Sequence, residues 1–312
     1  MSGFAFVFPG QGSQSVGMLD AWGDHPAVRD TLIEGSLALG LDLAALIREG
    51  PKAELDLTTN TQPAMLVAGV ACYRAWRAEG GAEPSVVAGH SLGEYSALVA
   101  AGALTLADAL PLVRFRARAM QEAVPVGVGA MAAILGLDAA VVVDACAEVA
   151  AGGTETVAAA NFNDPKQTVI AGTRAGVEAA CELLKARGAK RALLLPVSAP
   201  FHSSLMHPAA ERLRERLAAT AFAPPRIPLV SNVDVQIHTD PSALREALYR
   251  QAFGPVRWVD GVHTMIAMGA SAIVECGPGK VLAGLAKRIA PQIPSAAVFD
   301  PTSLRDALGM LE

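Results

Sequence analysis

Serine is a weak nucleophile until a neighbouring base takes its proton, so a reactive serine needs both a sharp local backbone and a partner. The run Gly89-His90-Ser91-Leu92-Gly93 offers the backbone. An apolar stretch, Ser85 to Ala88, precedes it, and a helical-looking run, Glu94 to Ala101, follows. This is the G-x-S-x-G pattern in the strand–turn–helix context that gives it meaning. Glycine tolerates the crowding of so tight a turn. Ser91 then projects its hydroxyl from the turn. The backbone N–H of Leu92, at the helix start, aims at an incoming carbonyl oxygen. The second chemical stretch is Val197-Ser198-Ala199-Pro200-Phe201-His202-Ser203-Ser204. It follows a strand and precedes a helix near Leu205 to Thr220. That puts His202 in a loop at a strand's C-terminal end, where ligands collect in open α/β sheets. A third is Pro9-Gly10-Gln11-Gly12-Ser13-Gln14, after the apolar strand Phe4 to Phe8. It lacks the Lys-Ser/Thr of a phosphate loop. It is either a plain connection or a means of presenting the Gln11 amide, which glycines flank, to a ligand. His90 sits beside Ser91, but the turn should point it away.

The elements that position these residues read as α/β. Thr58-Thr59-Asn60-Thr61 is a cluster of helix N-cap candidates, with Pro63 expected in the first turn of a helix running to about Glu79. Thr105-Leu106-Ala107-Asp108 reads as a capping box for a helix over about Leu106 to Glu122. That helix carries Arg114, Arg116 and Arg118. Arg114 and Arg116 lie roughly 200° apart around it, so they do not share one role. After the Pro/Gly-rich joint Val124 to Gly129, the order becomes β-α-β-β-α-β, that of a ferredoxin-like unit. Its strands are expected over Ala130–Leu137, Glu155–Ala160, Gln167–Ala171 and Lys190–Leu195. Asn161-Phe162-Asn163-Asp164-Pro165 reads as a turn. The unit is expected as an insertion over residues 126–196. Residues 1–125 and 197–312 then form the large subdomain. A helix is expected over Val256 to Gly269, a strand over Ser271 to Cys276, and a short helix over Thr302 to Leu311 after a Pro-interrupted tail.

Composition narrows the classes. The chain has 312 residues, enough for one large domain or two ordinary ones. Net charge is −5, with no basic block, which argues against a nucleic-acid partner. No apolar run approaches the roughly 18 residues that span a bilayer. The first 28 residues contain no Lys or Arg, so no charged leader segment is visible. Cys72, Cys146, Cys181 and Cys276 are far apart, with neither metal-ligand spacing nor a disulfide framework. A reduced, cytoplasmic setting fits. The absence of a coiled coil or an interface stripe suggests a monomer.

Taken together, Phe8 to Gln14, Gly89 to Tyr95, Arg116 to Gly136 and Pro196 to His202 resemble the malonyl-CoA:acyl carrier protein transacylases. Asn161-Phe162-Asn163 and Gly277-Pro278-Gly279-Lys280 add to the resemblance, which covers nearly the whole chain in order. It implies an α/β-hydrolase-like core with a mostly parallel sheet and an inserted ferredoxin-like βαββαβ subdomain. It implies Ser91 as nucleophile, His202 as its base, and the amides of Gln11 and Leu92 as the oxyanion hole. It further implies Arg116, 25 residues after the serine, as ligand of the malonyl carboxylate. Gln251 corresponds to the position whose backbone carbonyl orients the histidine, and Phe201 and Asn161 to further substrate-site contacts. The implied substrates are malonyl-CoA and an acidic acyl carrier protein, without cofactor or metal. The carrier would dock on a local basic patch, for which Lys190-Arg191 and Lys287-Arg288 are candidates. Two other classes compete. A serine esterase or thioesterase would want an acid between Ser91 and His202, where Asp164 alone sits in a plausible turn. A silent docking module would not keep the Ser91/His202 pair.

Overall fold

The computed structural model describes residues 3–125, 127–197 and 199–312. Val126, the expected first residue of the insertion, and Ser198 of the histidine loop lie outside the described residues. Nine strands are found among them: β1 (Gly3–Phe8), β2 (Val86–Gly89), β3 (Gly129–Leu135), β4 (Val157–Asp164), β5 (Gln167–Thr173), β6 (Arg191–Leu194), β7 (Leu229–Val230), β8 (Ala270–Cys276) and β9 (Ser295–Val298). They form two sheets. One is parallel, in the order β7-β2-β1-β8-β9. The other is antiparallel, in the order β4-β5-β3-β6, the strand order of a ferredoxin-like unit. The chain is therefore a mixed α/β protein of the expected class.

The sequence of β1 explains the first sheet. A central parallel strand is covered on both faces and so reads as an unbroken apolar run. Side chains alternate between faces. Phe4, Phe6 and Phe8 join one buried cluster, and Ala5 and Val7 the other. The phenylalanine face meets the helix Thr58–Ala78. There Trp76 packs edge-on against Phe6 at 5.2 Å and Phe4 at 5.9 Å between ring centroids. Edge-to-face pairs of this kind add roughly 0.5–1.5 kcal/mol each beyond area burial. The Ala5/Val7 face is closed by the helices Trp258–Ala267 and Val281–Ile289.

The second sheet is built the same way. Ala130, Ala132 and Ile134 of β3 pack under the helices Ala139–Ala150 and Arg174–Ala186. Its other face, with Met131, Val169 and Ala171, packs against Phe201. Two backbone bonds join the halves: Val256 N donates to Ala160 O at 2.8 Å, and Phe162 N to Val256 O at 2.9 Å.

Several expectations change. Asn161–Asp164 is not a turn. It continues β4 with two register shifts against β5, and these bulges accommodate the polar residues. The helix expected from Val256 begins at Trp258, because Val256 is spent on the bridge to Asn161 of β4. The helix holding Pro63 starts at Thr58, so Pro63 lies beyond its first turn. Asn60 and Thr61 do not cap it. They donate to the carbonyls of Glu54 and Leu55 and so close the preceding helix, Lys52–Leu55. Thr105 accepts from Asp108 N, but its hydroxyl donates to the Asp108 carboxylate, so the reciprocal half of a capping box is absent. The tail contains the edge strand β9, which pairs with β8.

Candidate active site

The turn after β2 has the strain its sequence forecasts. Ser91 adopts φ +52°, a left-handed conformation that costs a non-glycine residue about 1 kcal/mol or more. A Cβ on Gly89 would meet Gly93 C at 1.9 Å, and one on Gly93 would meet Phe8 O at 2.0 Å. Only glycine fits either side of the serine. Asn232, from the loop after β7, braces the turn. Its Oδ1 accepts from Ser91 N at 2.7 Å, and its Nδ2 donates to Gly89 O at 2.6 Å. The Ser91 amide is thereby committed to structure. The Leu92 and Gln11 amides have no hydrogen-bond acceptor among the described residues, and both residues line the same cavity.

His202 is brought to the turn by a second left-handed residue, its own, at φ +59°. Its Nε2 lies 2.7 Å from Ser91 Oγ. Its Nδ1 lies 2.9 Å from Gln251 O and 3.1 Å from Gly254 O. Two carbonyl oxygens require a proton on Nδ1, so Nε2 carries the lone pair that faces the serine hydroxyl. Burial, reinforced by the nearby Arg116 charge, pulls the imidazole down to about 3. The ring is a neutral base across the ordinary pH range.

Arg116 is 2% exposed, yet it sits within the cluster. Nη1 donates to Gln62 Oε1 at 2.7 Å, and Nη2 to Gln251 Oε1 at 3.0 Å and to Ser91 Oγ at 3.3 Å. Arg114 turns away and donates to Leu39 O at 3.2 Å, as the helical spacing requires. Burial lowers the Arg116 pKa, while Tyr95 and Glu94 oppose the shift. Gln251 joins both halves of the cluster. Its backbone oxygen holds His202. Its Nε2 donates to Ser91 O at 3.0 Å and to Glu94 Oε2 at 2.8 Å. Glu94, 2% exposed, also accepts from Asn232 N at 3.1 Å. Burial pushes its carboxyl up to about 7 against those donors.

A cavity of about 600 Å³ opens over Ser91 between the two sheets. Gln11, Asn161, Phe201 and His202 line it from different elements, so the residues singled out in the sequence converge. His90 does not point away from this space. It lines the cavity, held by Asn163 Oδ1 at 2.8 Å and packed on Trp258. Asp164 takes no part. It is buried and pairs with Arg288, Nε to Oδ2 at 2.7 Å, tying β4 to the helix Val281–Ile289. Gln62, Glu94 and Asn232 were not apparent from sequence. Gln62 and Asn232 are polar residues in otherwise ordinary elements that only long-range folding brings to the Ser91 cluster, whereas Glu94, three residues after Ser91, joins it through its bonds to Asn232 and Gln251. Among the described residues no group of three or more His, Cys, Asp or Glu could hold a metal ion, and no helix is long and apolar enough to cross a membrane.

The Ser91 turn, the carbonyl-held histidine and the buried arginine sit on a fold with known relatives. The model of the acyl transferase domain family matches residues 5–300. The chain is 53% identical over 309 residues to the malonyl CoA-acyl carrier protein transacylase of Escherichia coli K12, covering 99% of each chain. An acyl-carrier-protein S-malonyltransferase structure from Burkholderia pseudomallei superposes with TM-score 0.97 at 63% identity, covering 98% of this chain and 99% of that one. A type II PKS acyl-carrier protein in complex with its malonyl-transacylase gives TM-score 0.96 at 50% identity, covering 99% of this chain and 100% of that one. The chain belongs to the malonyl CoA-acyl carrier protein transacylase family of acyl transferase domains.

Proposed function

We propose that this protein moves the malonyl group from malonyl-CoA to the phosphopantetheine thiol of an acyl carrier protein through a malonyl-Ser91 ester. The observation that carries the proposal is the convergence of Ser91 Oγ on both His202 Nε2 and a buried Arg116. His202 removes the Ser91 proton as the oxygen attacks the thioester carbonyl. The amides of Leu92 and Gln11 receive the developing oxyanion. The C–S bond breaks, and CoA leaves as a thiol with the proton that His202 returns. The carrier thiol then attacks the ester, and His202 works in reverse. Arg116 takes the malonyl carboxylate, exchanging its present contact with Ser91 Oγ for a charge-assisted pair. Thioester and ester exchange without redox change, so the scheme calls on no cofactor. Asn161 and Phe201 shape the acyl end of the cavity. A cytoplasmic setting and an acidic carrier docked on a basic patch complete the proposal, in which Lys190, Arg191 and Lys287 are exposed candidates.

Relatives support the transferase reading, and a buried arginine at the nucleophile favours an acyl group with its own carboxylate over the esterase alternative. Truncating Arg116 to Ala should lower malonyl transfer by roughly 2–5 kcal/mol in transition-state terms. Acetyl transfer should fall little, because acetyl has no carboxylate. The readout is the malonyl-to-acetyl ratio of kcat/KM, with Arg114→Ala as control. A wild-type ratio in Arg116→Ala removes Arg116 as the carboxylate ligand. A collapse in Arg114→Ala would put the opposite helix face in the site.

A further inference from the structure

Glu94 follows the nucleophile by three residues and touches neither Ser91 Oγ nor His202. It is nevertheless a buried acid that the proposed chemistry leaves without a task. Its Oε2 accepts from Asn232 N, and Asn232 braces the Ser91 turn. The same oxygen accepts from Gln251 Nε2, whose amide donates in parallel to Ser91 O. With both acceptors on the Nε2 side, the Gln251 amide has one orientation. Its Oε1 must face Arg116, and it accepts from Nη2 at 3.0 Å. A buried carboxyl group and a buried guanidinium are thus bridged by one primary amide.

We propose that Glu94 is a positioning residue for acyl selectivity: through the Gln251 amide it sets the orientation in which Arg116 meets the acyl carboxylate. The inference rests on the reading of Arg116 given above. Reversing the amide would place an NH2 against the guanidinium and a carbonyl against Ser91 O and the Glu94 oxygen. Donor would face donor and acceptor would face acceptor, at both ends of a buried amide. Glu94 is the side-chain acceptor that, beside Ser91 O, opposes this. Its working property is the acceptor at Oε2. A proton on Oε1 leaves that property intact, so the device operates on either side of neutrality. Asn232 N donates to the same oxygen and anchors the carboxylate, which opposes its following a flipped amide.

The prediction is specific to the acyl group. Glu94→Ala removes the acceptor and should lower the malonyl-to-acetyl ratio of kcat/KM by roughly ten-fold, the size of one lost hydrogen bond to a charged group. Glu94→Gln can present a carbonyl oxygen in the same place and should restore most of that ratio. Gln251→Leu keeps the backbone carbonyl on His202 but loses the amide, and should lower the ratio similarly. In a double-mutant cycle, Glu94→Ala should cost little further ratio in the Gln251→Leu background. Equal losses of malonyl and acetyl transfer in Glu94→Ala would overturn the proposal, as would additive losses in the cycle. If Glu94→Ala does not fold, the Glu94→Gln and Gln251→Leu ratios decide: a Gln variant that collapses the ratio, or a Leu variant that preserves it, refutes the device. An unchanged ratio in Arg116→Ala would instead refute the underlying reading of Arg116.

Discussion

The Nδ1 of His202 donates to the backbone oxygen of Gln251 at 2.9 Å, in the place where a serine hydrolase puts a carboxylate. A carbonyl dipole fixes the tautomer without adding negative charge. With no anion to stabilise an imidazolium, burial and Arg116 hold the ring neutral. Acylation of Ser91, followed as kcat/KM for malonyl-CoA, should therefore be nearly flat from about pH 5 to about pH 8. Its acidic limb should lie well below the usual histidine range. Because Arg116 is the second cause of the depression, Arg116→Ala should move the acidic limb for acetyl-CoA upward. A wild-type limb near the ordinary histidine value would contradict the neutral-base assignment.

Glu275 supplies a test of the fold that is independent of the chemistry. It is fully buried at the end of β8, where Oε2 accepts from Ala283 N at 2.9 Å and Oε1 has no partner among the described residues. Burial pushes its carboxyl up to about 7. The folded chain keeps a proton that the unfolded chain releases from about pH 4.5 upward. The stability this proton confers is complete below that point and is lost as pH rises through about 7. Glu275→Gln keeps an acceptor and removes the loss. Relative to wild type, it should gain on the order of 2–3 kcal/mol above neutrality and little near pH 4.5. Denaturant unfolding at the two pH values checks this. A difference that does not change with pH would show that Glu275 is not held protonated.

Carrier docking can be tested with the Asp164–Arg288 pair set aside. Arg288 is exposed, but it pairs with the buried carboxylate of Asp164 on β4, so reversing its charge would disturb the fold as well as the surface. Lys190, Arg191 and Lys287 are exposed. Reversing these three to Glu should raise KM for the carrier protein and weaken its salt dependence, while KM for malonyl-CoA stays unchanged. An unchanged carrier KM would place the docking surface elsewhere.

The legible parts of the chain are those in which local pattern and tertiary role agree. The Ser91 turn was readable because both flanking glycines answer to contacts within a few residues or with the adjacent β1. The helix Leu106–Glu122 is readable from the Thr105-Leu106-Ala107-Asp108 capping pattern, because Thr105 is its N-cap. Arg116 was separable from Arg114 by helix geometry alone. Elsewhere local and tertiary demands diverge. Asn161 to Asp164 carries turn-type residues, yet pairing with β5 and Val256 extends it. The strand β9 is four weakly apolar residues after Pro294, and it exists because β8 offers an edge. His90 was placed by its neighbours in the turn, whereas Asn163 and Trp258, far off in sequence, decide where its ring goes. Gln62, Glu94 and Asn232 hold the reactive groups through bonds spanning 54 to 160 residues when Gln251 is included, beyond the reach of any periodicity.

The central claim is a malonyl ester on Ser91 that discharges to a thiol. Intact mass after brief incubation with malonyl-CoA should show one malonyl adduct, absent from Ser91→Ala and formed some 10²- to 10⁴-fold more slowly in His202→Ala. Holo-acyl carrier protein should then strip the adduct and become malonylated itself, much faster than water hydrolyses it. An adduct that persists in Ser91→Ala, or one that water removes as fast as the carrier thiol does, would contradict the account.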